Sequence, residues 1–241
     1  MNDQKERFYD LVKHSANIVF FGGAGVSTDS GIPDFRSAGG LYGNPRFKYP
    51  PERILSRSFF YSNTEEFYAF YRENSLHPDA EPNQAHIKLA ELEKAGKLKA
   101  VITQNIDGLH QKAGSVNVVE LHGSVRRNYC VDCKKQYTVD FIAGSVGAPR
   151  CDCGGVIKPD VVLYEEGLNQ RDLALAAEYI GGADMLIIGG TSLVVYPAAG
   201  LIRYYSGDKL VIINKSETDF DQQARLVIRE GISSVMEGVS V

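Results

Sequence analysis

Ile18-Val-Phe-Phe-Gly-Gly-Ala-Gly-Val-Ser-Thr-Asp-Ser-Gly31 is the stretch that decides the fold. Its first four residues, Ile18 to Phe21, are all apolar and either β-branched or aromatic. Continuous apolarity over so short a run marks a strand covered on both faces, as in a parallel sheet. Glycines at 22, 23 and 25 follow without a break. A strand that opens into such a turn lets backbone N–H groups approach a phosphate. The run is not a complete dinucleotide fingerprint, because threonine stands three positions after Gly25. By itself it reads equally as a structural turn. The continuation from Ser27 is rich in hydroxyls and ends in Asp34, Phe35 and Arg36. A carboxylate, an aromatic ring and a guanidinium in that order suit a ligand that carries phosphate, ribose and a ring.

Outward from this point the same alternation repeats. Phe8, Leu11 and Val12 share one face of an opening helix, and residues 65–71 and 86–94 also read as helical. Strands are expected at 99–103, within 183–188 and at 210–213. The pattern predicts an α/β protein with a Rossmann-like, doubly wound parallel sheet. Polar clusters stand where these strands end. Gln104-Asn105-Ile106-Asp107 follows one strand, Gly189-Gly190-Thr191-Ser192 a second, and Asn214-Lys215-Ser216 a third. Each is a plain turn or a helix cap when taken alone. Together they line one sheet edge, where open α/β sheets bind ligands. His122, in Leu121-His122-Gly123, follows another short apolar run and is a candidate of the same kind.

The 241 residues correspond to about one and a half domains at ~150 residues each. With 44% apolar and 23% charged residues the balance is that of a globular chain. A net charge of −4 argues against a strongly basic surface, so no direct nucleic-acid partner is expected. Residues 1–17 are charged and amphipathic, without the apolar core of a secretory signal. The apolar runs are about four residues long where a membrane span needs ~20. A cytoplasmic protein with no membrane partner is the expectation, and there cysteines act as ligands or nucleophiles.

Those cysteines fall in two close pairs, Cys130-x2-Cys133 and Cys151-x-Cys153, in a stretch that interrupts the α/β rhythm. Four thiolates from two such knuckles satisfy a closed tetrahedral zinc site, which would be structural because no coordination position is left open. A redox pair or isolated buried thiols are the alternatives.

Taken in order, residues 23–36, Gln104–Asp107, Leu121–Gly123, the paired cysteines, Lys158-Pro-Asp-Val-Val162, residues 190–198 and Asn214 resemble the sirtuins, the NAD-dependent protein-lysine deacylases. The resemblance runs from about residue 18 to 214 and points to a compact, bacterial-type member. It implies one catalytic domain over 1–241, with a Rossmann-like NAD domain at about 1–124 and 157–241 and a zinc module at about 125–156. NAD would be the co-substrate, with one structural zinc ion. Ala24, Thr28, Asp34, Phe35 and Arg36 would contact NAD. Ile106 and Asp107 would hold the nicotinamide carboxamide, and Gln104 and Asn105 the ribose and an ordered water. His122 would be the general base that activates a ribose hydroxyl, with Asn105 beside it. Gly190, Thr191, Ser192, Asn214, Lys215 and the backbone near Ile232 would bind the adenosine half.

The partners implied are acetyl-lysine proteins or peptides, paired with a strand over 158–166 through Val161, Val162, Tyr164 and Glu165. A monomer is favoured. Many sirtuins end that strand in Gly-Glu, whereas this chain has Glu165-Glu166, an extra carboxylate that would favour basic residues beside the target lysine. Succinyl-preferring relatives carry Tyr-x-x-Arg on the helix matching 65–73. Here Tyr68 is followed by Tyr71 and, one position late, Arg72, so acetyl-lysine is the expected substrate. The competing readings are a longer-chain or acidic deacylase, protein mono-ADP-ribosylation, and a non-catalytic, NAD-sensing zinc-ribbon protein.

Overall fold

A computed structural model describes residues 3–35, 40 and 48–240. Six strands make the main sheet: β1 (Ile18–Gly22), β2 (Leu98–Thr103), β3 (Val118–Glu120), β7 (Met185–Gly189), β8 (Leu210–Ile213) and β9 (Leu226–Ile228). Their spatial order is β3-β2-β1-β7-β8-β9, and every pairing is parallel. The winding therefore reverses between β1 and β7, whose last residues, Gly22 and Gly189, stand side by side. A doubly wound sheet opens its ligand crevice beyond the carboxyl ends of such a pair.

The continuous apolar runs have a simple cause, since alternate residues serve two cores. Ile18, Phe20, Met185, Ile187, Val211 and Ile213 face one core, which α1 (Asp3–Lys13), α5 (Gln84–Lys94) and α9 (Ile232–Met236) cover. Val19, Phe21, Leu186, Ile188, Leu210 and Ile212 face the other, under α8 (Gln170–Gly181) and the 3₁₀ segment Ala198–Tyr204. None of the described helices is long and apolar enough to cross a membrane.

A second, antiparallel sheet has the order β5-β4-β6, from β4 (Gly123–Cys130), β5 (Gln136–Tyr137) and β6 (Ile157–Val161). It begins before residue 125 and ends after 156, and β6 belongs to it and not to the main sheet. Its apolar face does not stand alone. Val125, Ile157 and Val161 share a core with Ile142 of α7 (Val139–Gly144) and with α2 (Pro51–Ile54), α3 (Arg57–Ser62) and α4 (Thr64–Asn74). Phe60, Phe67, Tyr68 and Tyr71 are its largest fully buried members. The strand expected over 158–166 stops at Val161, because Val161 lies opposite Gly123, the first residue of β4. Beyond it the chain turns to a new neighbour, and the Tyr164 amide donates to the Leu55 carbonyl at 3.0 Å.

Candidate functional site

Backbone contact closes the crevice at the switch point. The Gly25 amide donates to the Gly190 carbonyl at 2.8 Å, and the Gly23 amide to the Gly189 carbonyl at 3.2 Å. Gly190 has φ +57°, and a Cβ there would lie 2.3 Å from the Val26 nitrogen. Only glycine fits such an approach. Two 3₁₀ turns follow β1, Ala24–Val26 and Thr28–Ser30, and the Thr28 hydroxyl donates to the Gly25 carbonyl at 3.1 Å. Across the crevice Gln104 Nε2 donates to Thr191 Oγ1 at 3.0 Å, so residues from β2 and β7 meet over β1. Thr191 Oγ1 also accepts from the Leu193 amide at 3.2 Å.

Behind this lies a polar chain centred on Ser27. Its hydroxyl donates to Asp107 Oδ2 at 2.7 Å and accepts from Asn105 Nδ2 at 3.0 Å. Asp107 Oδ1 accepts from the Leu109 amide at 2.9 Å, at the start of α6 (Leu109–Lys112). Ser27 is fully buried and Asn105 is 8% exposed. Dry surroundings strengthen such bonds and fix the three side chains as a unit. Ser27 was legible only as part of a hydroxyl-rich loop. Asn83, which caps α5, also binds the Val26 carbonyl (2.8 Å) and Ser30 Oγ (3.0 Å). Its sequence shows the cap, while the long-range contacts have no local signal.

His122 sits at the corner between β3 and β4, where the two sheets meet. Its Nδ1 lies 3.0 Å from the Gln104 carbonyl. A carbonyl oxygen only accepts, so Nδ1 carries the proton and Nε2 presents the lone pair. Burial lowers the imidazole pKa from its ordinary 6.5, and the bond to Gln104 opposes that shift. The residue is therefore a neutral base at neutral pH. Gly123 makes the corner possible: its φ is +76°, and a Cβ would lie 1.9 Å from the Asp160 oxygen.

The remaining cofactor candidates spread along the same sheet edge. Asn214 directly follows β8, its amide donating to the Ile228 carbonyl (3.1 Å) and its Nδ2 to the Ser216 carbonyl (2.9 Å). Lys215 is exposed beside Gly231. Ser192 is half-buried, whereas the Ile232 side chain is buried in the core against Gly189. Phe35 is half-buried against the core that the antiparallel sheet shares with α2, α3 and α4, and Asp34 precedes it. Arg36 lies outside the described residues.

The four cysteines converge. All Sγ atoms are within 4.8 Å of one another, with Cys130–Cys153 and Cys133–Cys151 at 3.5 Å. Neither contact is a disulfide, and sulfurs about 2.3 Å from a tetrahedral zinc are about 3.8 Å apart. Cys130 and Cys151 are buried while Cys133 and Cys153 are exposed. Gly155 closes the second knuckle, where a Cβ would lie 2.7 Å from Cys130 Sγ. The donor set and its spacing fit one zinc ion with no open position.

Past β6 the candidate substrate strand is held from behind. The Val162 amide donates to the His122 carbonyl at 3.0 Å. A cavity of about 480 Å³ flanks this segment, lined by Arg57, Tyr129, Lys158, Asp160 and Val162 among others. The carboxylates expected to favour basic substrates both have partners within the chain. Glu165 accepts from the Ser58 amide (2.9 Å) and hydroxyl (2.8 Å), while Glu166 pairs with Lys158 Nζ at 3.0 Å. Arg72 is likewise engaged. It donates to Ser145 Oγ (3.2 Å) and the Gly147 carbonyl (2.8 Å), and lies over the Tyr68 ring. Tyr68 and Tyr71 are core residues, with the Tyr68 hydroxyl donating to the Ile157 carbonyl.

Known proteins resemble this chain in sequence and in fold. The Sir2 family model matches residues 23–197. The NAD-dependent protein deacetylase of Clostridium tetani is 57% identical over 240 residues, covering 98% of this chain and 97% of that one. Its Clostridium perfringens counterpart is 58% identical over 239 residues, with 98% of both chains covered. A Sir2 protein solved with a p53 peptide and NAD+ is 45% identical with TM-score 0.85, covering 98% of this chain and 96% of that chain. Another, solved with deacetylated p53 peptide and 3′-O-acetyl ADP-ribose, is 44% identical with TM-score 0.87, over 97% and 96% of the two chains. With likeness of this extent in both sequence and fold, the chain belongs to the Sir2 family.

Proposed function

We propose that the chain is an NAD-dependent protein-lysine deacetylase that moves the acetyl group of acetyl-lysine to ADP-ribose and releases nicotinamide. The observation that carries this reading is His122, a neutral imidazole whose Nδ1 is fixed and whose Nε2 carries the lone pair, at the corner where the dinucleotide crevice meets the candidate peptide strand. NAD, when bound, supplies an electrophilic ribose carbon as nicotinamide leaves. The Gly23 and Gly25 amides are spent on the Gly189 and Gly190 carbonyls, so the glycine turn serves by letting the phosphates approach closely beside the Ala24 backbone. Asn105, Ser27 and Asp107 form a preorganised polar wall at the nicotinamide end, with Ile106 beside them. Thr191, Ser192 and Asn214 take the adenosine half. His122 Nε2 accepts the proton of a ribose hydroxyl and so prepares it to take the acetyl carbon. The substrate backbone pairs with the segment at Val161, Val162, Tyr164 and Glu165 as an added strand. The cysteine-bound zinc is structural and takes no part in the chemistry.

Arg72 supports acetyl-lysine over an acidic acyl group. Its Nη1 and Nη2 are each spent on the loop at 145–147, which anchors the guanidinium there and competes with a two-pronged grip on a succinyl carboxylate. The test is incubation with NAD and an acetyl-lysine peptide while following nicotinamide release and peptide mass. Loss of acetyl together with formation of O-acetyl-ADP-ribose is the expected result. A gain of one ADP-ribose on protein would indicate transfer to a side chain instead, and no turnover would leave a binding protein.

A further inference from the structure

The ladder between β4 and β6 shifts register between Ser124 and Asn128, and the residues in the break contact segments outside their own sheet as well as β6 itself. Bulges of this kind re-aim side chains and recur beside active sites. Here the Val125 amide donates to the Ile106 carbonyl at 3.0 Å. Arg126 packs on Gly108, where a Cβ would lie 2.4 Å from its Nε. Arg127 makes two ionic bonds at once, Nε to Asp160 Oδ2 at 2.7 Å and Nη1 to Glu120 Oε2 at 2.6 Å.

The two carboxylates frame the histidine. Glu120 ends β3, two residues before His122. Asp160 is on β6, two residues before Val162, whose amide holds the His122 carbonyl. Gly123 packs directly against the Asp160 backbone. One guanidinium thus ties together both segments that grip the His122 main chain. Exposed ion pairs as a class are worth little, but the Glu120 side chain is only 9% exposed and, among the described residues, pairs with Arg127 alone. A forked guanidinium also fixes geometry in a way a point charge does not.

We propose that Arg127 is a positioning residue for His122, fixing the corner that carries the imidazole by linking Glu120 on β3 to Asp160 on β6. The inference rests on the proposed role of His122 as base. It bears on the imidazole's surroundings, so it is open to a measurement that needs no turnover.

The experiment follows the His122 imidazole by NMR with labelled histidine, assigned against His122→Asn, in the wild type, Arg127→Leu, Arg127→Lys and Asp160→Asn. In the wild type His122 should titrate below 6.5. In Arg127→Leu the corner loosens and water reaches the ring, so the titration should move up toward 6.5. Deacetylation kcat should fall by about tenfold with the KM for NAD unchanged. Arg127→Lys should recover part of both effects, and Asp160→Asn, a milder change, should shift them in the same direction. Folded Arg127→Leu and Asp160→Asn proteins whose His122 titration matches the wild type would overturn the inference, whatever their activity. A wild type that titrates as described but never deacetylates would overturn the functional reading alone.

Discussion

At the scale of single residues, the proposed chemistry depends on where protons sit. His122 must be neutral to act as base, and burial holds its pKa below 6.5. The acidic limb of kcat/KM should therefore lie below 6.5, with activity flat above it. Measuring kcat/KM between pH 5 and 8 checks this, and a limb above 6.5 would contradict it. Glu165 poses a different problem, since its φ of +73° is a left-handed conformation that favours glycine. Its carboxylate compensates by accepting from the Ser58 amide and hydroxyl. Glu165→Ala keeps the strain and loses both bonds, while Glu165→Gly loses the bonds and relieves the strain. The glycine variant should be the more stable of the two by about 1 kcal/mol in denaturant unfolding. The reverse order would mean that the left-handed conformation is not being retained.

Among the elements, the cysteine knuckles make the sharpest claim. Zinc binding in such a site is itself folding free energy. Cys130→Ser should lower the zinc content measured by atomic absorption and lower the melting temperature. Metal content equal to the wild type would refute the assignment. The knuckles were legible from spacing because both pairs are local, and the strand-end glycines were legible for the same reason. The β1 run was legible too, because alternate residues feed two cores and so all of them are apolar. The alliance of α2, α3 and α4 with the small sheet was not. Periodicity finds the aromatic face of α4, but nothing local says that Phe67 and Tyr71 meet Ile157 and Val161, some 90 residues away. The end of β6 was missed for the same reason, because it is set by where β4 begins. Glu165 and Glu166 show the limit at a site, since composition reveals two carboxylates and only the fold supplies their partners.

For the molecule as a whole, the most exacting demand comes from two histidines that the chemistry does not use. His86 and His110 are buried with their rings 4.7 Å apart, against Phe20 and behind Asp107. Burial lowers the His86 pKa to about 4, with the nearby Asp107 charge opposing the shift. Burial and the neighbouring His86 push His110 well below its ordinary value. The unfolded chain binds protons at both positions below about 6.5, so it holds more protons than the native state there. Stability should be full above 6.5 and fall as the pH drops toward 4, by up to about 1.4 kcal/mol per pH unit for each histidine. Denaturant midpoints at pH 7.5, 6 and 5 test this, and a midpoint that does not move would contradict it.

The proposed function places His122 between NAD and an acetyl-lysine, at the corner where the parallel and antiparallel sheets meet. The most direct test is the stoichiometry of a complete reaction with an acetyl-lysine peptide. One nicotinamide and one O-acetyl-ADP-ribose should form for each lysine deacetylated. Free acetate released without NAD consumption would contradict the proposed function.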